Sequence, residues 1–477
     1  MKRGDPITLV LDRFGAEGKS VARVEGFVVF VRGGVPGDTV RAHLTKVSKN
    51  FAEAEVDAVL QHSSLRATPR CTYFGVCGGC TWQHLSYEGQ CEFKRQQVAD
   101  ALERIGGFEG VSVRPTLGSE EVYYYRNKME FSFGVRWLTA EELALLPPAE
   151  SSPAPADRFS LGLHIPRRFD RVLDIAECYL QSTTSVAMVN AVRQFSKDRN
   201  LSIYSTDTHT GYLRNLVIRE ARQTGERMVN LVTSEERPAL NAEFCAMILS
   251  RFPETTTIVN NITVRKSQVA LGDREVLLHG PGWITDRIGA RTYRISANSF
   301  FQTNTLQAER LYDVVRRYAA IQPHETVYDL YSGTGTIALH VAGDAATVIG
   351  IESVASAVED ARRNAEANGV RNCRFLLGDL KEHLVDDPSG LGADSHPHVV
   401  LCDPPRAGMH PKVVATLRTM HPDRIVYVSC NPATQARDVK LLCENDAYHL
   451  VEAQPVDMFP HTTHVENVVL LRSGGGA

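Results

Sequence analysis

Three groups of residues in this 477-residue chain have types and spacing that could do chemistry. The first is Cys430. The run Ile425-Val426-Tyr427-Val428-Ser429-Cys430-Asn431-Pro432 is β-branched and aromatic up to the thiol, then breaks at Asn-Pro. Cys430 therefore falls at the carboxyl end of a predicted strand. A thiol in such a place is commonly a small buried residue, but the turn that follows and the residues below favour a nucleophile, because a thiolate can add to an electron-poor ring carbon. The second group is carboxylic. Asp403 opens Asp403-Pro404-Pro405-Arg406 at another strand end, where two prolines stiffen the loop. Glu466 closes the stretch Met458-Phe459-Pro460-His461-Thr462-Thr463-His464-Val465-Glu466 and offers a general base. The third group is Cys71, Cys77 and Cys80, spaced Cys-x5-Cys-Gly-Gly-Cys. Such a compact, glycine-rich set suits a metal centre and needs one more ligand, Cys91 or Cys178. Four thiolates serve zinc as well as iron.

These residues must be carried by something regular. From about residue 296 strand and helix alternate, with strands predicted at 326–330, 347–352, 373–377, 399–403 and 424–429. That alternation implies a parallel, doubly wound sheet that binds ligands at the carboxyl ends of its strands. The first strand ends in Asp329-Leu330-Tyr331-Ser332-Gly333-Thr334-Gly335-Thr336, a glycine pair that permits a tight turn and close ligand approach. The second ends in Glu352, placed to accept hydrogen bonds from ribose hydroxyls. The third leads into Gly378-Asp379, where an acid could meet an adenine amine.

Upstream, short β-rich runs within 5–60 predict a small barrel of five strands. Residues 88–106 are charged and periodic, which predicts a helix able to pack on the C-terminal domain. Residues 137–158, with Leu-Pro-Pro and Ser-Ser-Pro-Ala-Pro, predict an exposed insertion. Residues 159–290 read as α+β, with helices near 184–199 and 237–251. Hydrophobic content of 43% and charged content of 23% are ordinary for a globular protein. A net charge of −4 argues against whole-surface binding of polyanions but leaves room for a local basic groove among 52 Lys and Arg. No run approaches the ~20 apolar residues of a membrane span, and no apolar signal core follows the N-terminal residues. Clustered cysteines rather than a disulfide framework add to the expectation of a cytoplasmic protein.

Residues 15–23 (Gly-Ala-Glu-Gly-Lys-Ser-Val-Ala-Arg) and the turn at 33–38 resemble a TRAM domain, an RNA-binding β-barrel. With Ser299-Phe300-Phe301-Gln302-Thr303-Asn304, 329–335, 403–406, 429–432 and 459–466 in order, the chain resembles the RNA uracil-5-methyltransferases over nearly its whole length. The branch it is most similar to acts on 23S ribosomal RNA and carries a TRAM domain and an iron–sulfur cluster. The resemblance implies a Rossmann-like S-adenosylmethionine-dependent methyltransferase domain (296–477), an N-terminal TRAM barrel (1–62) and a central α+β iron–sulfur domain (68–295). It implies Cys430 as nucleophile and Glu466 as base. It implies Gln302, Tyr331, Glu352 and Asp403 as holders of S-adenosylmethionine, with Asp379 as a further contact. It selects Cys178 as fourth partner of Cys71, Cys77 and Cys80, and a [4Fe–4S] cluster over zinc. The expected partner is RNA, 23S ribosomal RNA before transfer RNA, and the expected state a monomer. Tyr123 to Lys128, with Arg214 and Arg219, are candidate supports for an unstacked RNA segment. Two other readings use the same features: methylation of cytosine or an exocyclic amine, and a non-catalytic RNA-binding protein.

Overall fold

The computed structural model describes residues 1–15, 18–136, 159–166, 168–266, 270–380 and 396–474. The insertion expected at 137–158 lies outside the described residues.

Among the described residues the N-terminal unit has six strands rather than five: β1 (Pro6–Val10), β2 (Arg13–Phe14), β3 (Ser20–Val24), β4 (Phe27–Arg32), β5 (Thr39–Val47) and β6 (Phe51–Gln61), ordered β1-β5-β6-β4-β3-β2. Alternate residues point inward, as a half-buried strand requires: Val29 and Val31 from β4, and Val40, Ala42 and Leu44 from β5, share one apolar core. The turn before β5 is fixed by Asp38, which is fully buried and accepts from the amides of Val35 and Ser63, both at 2.8 Å. The Arg66 guanidinium closes on the same carboxylate at 2.6 Å, tying the following linker to the sheet. Burial alone would raise this carboxyl, yet Arg66 and the two amides hold it below its usual value.

Helix α1 (Tyr87–Ala101) starts at Ser86, whose hydroxyl accepts from the Gly89 amide. It continues as a π-helical turn over Leu102–Gly106. Its Val98 and the following Leu102 are buried among Tyr328, Val400 and Tyr427, so the helix docks on the C-terminal sheet. The two-residue strand β7 (Ser112–Val113) then joins the edge of that sheet.

The central sheet contains β8 (Lys128–Val135), β9 (Phe159–Ile165), β10 (Arg168–Asp174), β11 (Leu213–Glu220), β12 (Arg227–Thr233), β13 (Thr257–Ile262) and β14 (Arg274–His279), ordered β10-β9-β8-β11-β12-β13-β14. Helix α2 (Thr183–Asp198) lays Met188, Val192 and Phe195 on its apolar face, in one core with Phe244 and Ile248 of α3 (Pro238–Arg251). The hairpin of β15 (Trp283–Ile288) and β16 (Arg291–Ser296), sequence neighbour of the central sheet, instead buries Ile284, Ile288, Tyr293 and Ile295 in the core of the C-terminal domain.

That domain continues with α4 (Thr305–Ala319), β17 (Thr326–Leu330), α5 (Thr336–Val341), β18 (Thr347–Glu352), α6 (Ala355–Ala367), β19 (Cys373–Leu377), β20 (Val399–Cys402), α7 (Pro411–Met420), β21 (Arg424–Ser429), α8 (Pro432–Leu442), β22 (Tyr448–Val456) and β23 (Glu466–Ser473). The sheet order is β19-β18-β17-β20-β21-β23-β22-β7. The first five strands are parallel, and β23 runs antiparallel to β21. The chain order reverses at β17, which has β18 on one side and β20 on the other. A crevice must open there at the carboxyl ends of the strands, and it does so beside Tyr331 and Asp403.

Candidate active site and cysteine centre

The loop after β17 has little conformational choice. Tyr331, Gly333 and Gly335 all lie in the left-handed region, with φ of 64°, 53° and 78°. A side chain at Gly335 would bring its Cβ within 2.8 Å of the Phe375 ring. For Tyr331 that backbone is strained, a condition that collects at ligand sites. Glu352, at the end of β18, accepts from the Gly333 amide at 3.0 Å and the Val354 amide at 2.8 Å, which joins the two loops.

Three cavities surround these strand ends. One of about 400 Å³ is lined by Tyr331, Ile351, Glu352, Asp379, Pro405 and His410. A smaller one of about 40 Å³ is lined by Phe301, Gln302, Tyr312, Asp329, Tyr331 and Asp403. A third of about 330 Å³ is lined by Gln97 from α1, Arg406, Cys430, Asn431, Thr463 and His464. Gln302, Tyr331, Glu352, Asp379 and Asp403 thus gather around two cavities that share Tyr331, while Cys430 opens into the third. Glu466, at the start of β23, is buried beside Cys430, Asp403 and Arg406.

Burial dominates the electrostatics of the crevice and raises its acids. Burial pushes Asp403 up to about 7. Burial, reinforced by Asp403 and Glu352 and opposed by the Ala338 amide, pushes Asp329 up to about 8. Burial and Asp403 raise Glu466 well above the usual carboxylate range, and Arg406 opposes them. The Cys430 thiol is pushed up to about 11 by burial and then by Glu466, with Arg406 pulling it back.

Arg406 is a residue that reasoning from sequence did not single out, although it completes the Asp-Pro-Pro-Arg motif. Its guanidinium meets His464 Nδ1 at 3.2 Å. Its carbonyl accepts from Asn431 Nδ2 at 3.1 Å and Thr434 Oγ1 at 3.2 Å, which fixes the loop after β20 against the Cys430 turn. Asp329 was also missed. Its signal was an acid at the end of the first strand, and it accepts from the Ala338 amide in the first turn of α5 at 3.0 Å.

The candidate RNA supports fare differently. Arg219 is buried and donates to the carbonyls of Ala297 and Ser299, so it braces the Gln302 loop instead of meeting a ligand. Arg214 is buried with its guanidinium 3.9 Å from the Tyr204 ring centre. Tyr125 is buried and donates to the Pro460 carbonyl at 3.1 Å. Asn127 donates to the Gln302 carbonyl at 2.8 Å and Thr305 Oγ1 at 2.7 Å. Tyr123 and Tyr124 stay near the surface, each about 5 Å from the exposed Arg70 guanidinium (5.2 and 5.3 Å), which lies 4.4 Å from Tyr179.

Cys71, Cys77, Cys80 and Cys178 line one apolar cavity of about 20 Å³ with Phe74 and Leu163. Cys91 is elsewhere, on α1, beside Tyr87 and Asp457. Burial raises all four clustered thiols, Cys77 to about 11 and Cys80 to about 12. Among the described residues no three His, Cys, Asp or Glu side chains are arranged to hold a metal ion as they stand. Among the same residues no helix is long and apolar enough to cross a membrane.

Residues 283–473 match the tRNA (uracil-5-)-methyltransferase family, and residues 2–56 match the TRAM domain. An uncharacterized RNA methyltransferase of Chlorobaculum tepidum is 44% identical over 98% of this chain and 96% of its own length. Another, of Porphyromonas gingivalis, is 44% identical over 96% of this chain and 97% of its own. Among solved structures, the Pyrococcus abyssi tRNA (uracil-54, C5)-methyltransferase in complex with S-adenosyl-L-homocysteine is 31% identical. It covers 98% of this chain and 100% of its own with a TM-score of 0.73. The open sheet with its strand-end crevice is thus the S-adenosylmethionine-binding fold of that enzyme. With a TRAM domain at its N-terminus, the chain belongs to the tRNA (uracil-5-)-methyltransferase family of RNA methyltransferases.

Proposed function

We propose that this chain methylates carbon 5 of a uridine in RNA, with 23S ribosomal RNA as the favoured substrate, through a covalent bond from Cys430 to uracil carbon 6. The observation that carries the reading is that Cys430, Glu466, Asp403 and Arg406 lie within electrostatic reach of one another at the ends of β20 and β21 and the start of β23.

S-adenosylmethionine suits the residues present. Glu352 and Asp379 line the larger cavity, where Glu352 would take the ribose hydroxyls and Asp379 the adenine amine. Gln302, Tyr331 and Asp403 line the smaller one. Buried carboxyls raised towards neutrality are stabilised by a cation, and this ligand carries two, an ammonium and a sulfonium. It supplies an electrophilic methyl group.

The chain's own residues do the rest. The target uracil leaves its stack to reach the Cys430 cavity. The Cys430 thiol first loses its proton to solvent, a loss that the Arg406 charge favours; the thiolate adds to carbon 6, and the carbon 5–carbon 6 π pair becomes an enolate, for which Arg406 is the nearby cation. Carbon 5 of the enolate is then the nucleophile that takes the methyl group. Glu466 accepts the carbon 5 proton. The electrons of that C–H bond rebuild the double bond while the carbon 6–sulfur bond breaks, and Cys430 leaves as a thiolate. One chain carries every residue of this sequence, which supports a monomer as the working unit.

The four clustered cysteines are read as ligands of a [4Fe–4S] cluster, with zinc as the alternative. Four soft donors around an apolar cavity suit either. The proposed methyl transfer consumes no electrons, so the centre needs no redox role. Anaerobic purification with iron and sulfide analysis tests it: about four of each per chain is expected, and stoichiometric zinc without sulfide contradicts it.

The TRAM and cysteine modules favour ribosomal RNA. Transfer RNA is the second reading, because the Pyrococcus abyssi protein is named for a transfer RNA uracil. Mapping 5-methyluridine in both RNA classes from a deletion strain decides. Loss of one ribosomal site is expected; loss in transfer RNA alone selects the second reading, and no loss overturns both.

A further inference from the structure

The segment 457–466 joins β22 to β23, carries Thr463 and His464 into the Cys430 cavity and ends on Glu466. Its four consecutive carbonyls at 458–461 all accept hydrogen bonds from other parts of the chain. Met458 accepts from Asn304 Nδ2 at 3.2 Å, Phe459 from Lys94 Nζ at 3.1 Å, and Pro460 from the Tyr125 hydroxyl at 3.1 Å. His461 accepts from the backbone amides of Thr81 at 2.8 Å and Trp82 at 3.0 Å.

Thr81 and Trp82 directly follow Cys80, so the cysteine segment itself holds the fourth carbonyl. His461 is buried and has a φ of 66°, a backbone that a non-glycine residue keeps only when its surroundings impose it. Those surroundings are specific. Gln90 Oε1 accepts from the His461 amide at 2.7 Å, and Gln90 Nε2 lies 3.2 Å from His461 Nδ1. The same Nε2 donates to the Trp82 carbonyl at 3.1 Å, so Gln90 joins both strands of this contact. The Tyr123 ring stacks on the imidazole at 4.4 Å. One end of the segment is anchored by the Lys94–Asp457 ion pair, 2.5 Å long with both side chains fully buried.

We propose that the cysteine segment is a positioning element for the catalytic base: through Thr81 and Trp82 it fixes His461, and through that loop it sets Glu466 against carbon 5 of the uracil. The inference rests on the function proposed above. It gives the cysteine centre its main task in proton removal, because Thr81 and Trp82 bond the loop that ends on Glu466. Cys430, Tyr331, Glu352 and Asp403 are carried at the ends of β21, β17, β18 and β20, which Thr81 and Trp82 do not bond. Disturbing the cysteines therefore slows expulsion of Cys430 more than addition of Cys430.

The test separates the two steps on one protein. RNA carrying 5-fluorouridine has no carbon 5 proton to lose, so its adduct reports addition and methyl transfer without the base. Ordinary RNA reports the whole cycle. The probes are 23S ribosomal RNA and transfer RNA transcripts, using whichever the wild-type chain methylates. For Cys80→Ala and Cys178→Ala, turnover on ordinary RNA should fall about 10- to 100-fold, as a small misplacement at a reacting centre does. The denaturant-stable adduct on ordinary RNA should accumulate, while adduct formation on 5-fluorouridine RNA and calorimetric S-adenosylmethionine affinity stay within about 2-fold. Unchanged turnover, or turnover and 5-fluorouridine adduct falling together, overturns the proposal. If both cysteine variants are insoluble, His461 decides. Asn tolerates positive φ and a β-branched residue does not, so His461→Val should accumulate adduct and His461→Asn should not; equal behaviour of the two overturns the proposal. A wild-type chain that forms no adduct and methylates neither transcript removes the functional reading instead, before any variant is compared.

Discussion

The buried acids of the cofactor crevice make S-adenosylmethionine binding depend on pH in a direction that can be worked out. Burial raises Asp403 to about 7. In the free protein it is therefore largely protonated below that pH, whereas a bound sulfonium favours the carboxylate. If binding requires Asp403 ionised, affinity follows the ionised fraction. Between pH 7.5 and 5.5 that fraction falls about 25-fold, equivalent to roughly 1.9 kcal/mol at 1.36 kcal/mol per decade. The ligand's own α-amino group, with a value near 7.7–8.0, stays mostly protonated over this interval. Titration calorimetry at pH 5.5, 6.5 and 7.5 measures the slope. Repeating it in buffers of different ionisation enthalpy counts the protons released, and close to one is expected at the acid end. The sign also holds for stability. A carboxyl raised from 3.8 to about 7 by burial disfavours the folded state once pH exceeds its unfolded value, so this group costs stability at pH 7.5 that the ligand restores. Asp403→Asn should bind more weakly at pH 7.5 and lose most of the pH slope. An affinity independent of pH in the wild type, or the same slope in Asp403→Asn, refutes the reasoning.

Other substitutions probe other parts. Glu466→Gln should form the RNA adduct yet release little product, and gel analysis under denaturing conditions should show the adduct accumulating; normal turnover would remove Glu466 from its role. Gly335→Ala places a side chain at a φ of 78° with its Cβ 2.8 Å from Phe375. It should cost roughly 1–2 kcal/mol from the backbone alone, lower Tm by about 2–8 °C and weaken S-adenosylmethionine binding by calorimetry. Lys94→Met leaves Asp457 buried without its cation. Breaking such a pair costs about 3–5 kcal/mol, and adding Asp457→Asn should recover part of the lost Tm; no change in either variant contradicts a structural ion pair.

What the sequence made legible follows from how parallel sheets work. Tyr331, Glu352, Asp379, Asp403 and Cys430 could be placed because a doubly wound sheet sends its strand ends to one edge, and periodicity locates those ends. The cysteine cavity was half legible. Cys71, Cys77 and Cys80 are close in sequence, but nothing in spacing separates Cys91 from Cys178. Only tertiary structure puts Cys178 in the cavity and Cys91 on α1. Arg214 and Arg219 read as exposed cations because burial of arginine is invisible in a strand pattern. In the fold, Arg219 Nη2 donates to two backbone carbonyls and the Tyr204 ring covers Arg214. The domain edges were the least legible. Helix α1 was expected to touch the C-terminal domain, but the β7 strand addition depends on a pairing more than 300 residues apart, and the β15–β16 hairpin is buried by elements that follow it in the chain. The bracing of 458–461 was illegible for the same reason, since its donors come from four separate parts of the chain.

The account turns on Cys430 as the atom that joins protein to RNA. Incubation with S-adenosylmethionine and 5-fluorouridine RNA, followed by protease and nuclease digestion and mass spectrometry, reads that bond directly. The predicted product is a peptide containing Cys430 that carries one 5-fluoro-5-methyl nucleotide, absent from Cys430→Ala, which should also methylate no uridine. A Cys430→Ala protein with intact methylation, or a nucleotide attached to any other residue, would contradict the central claim.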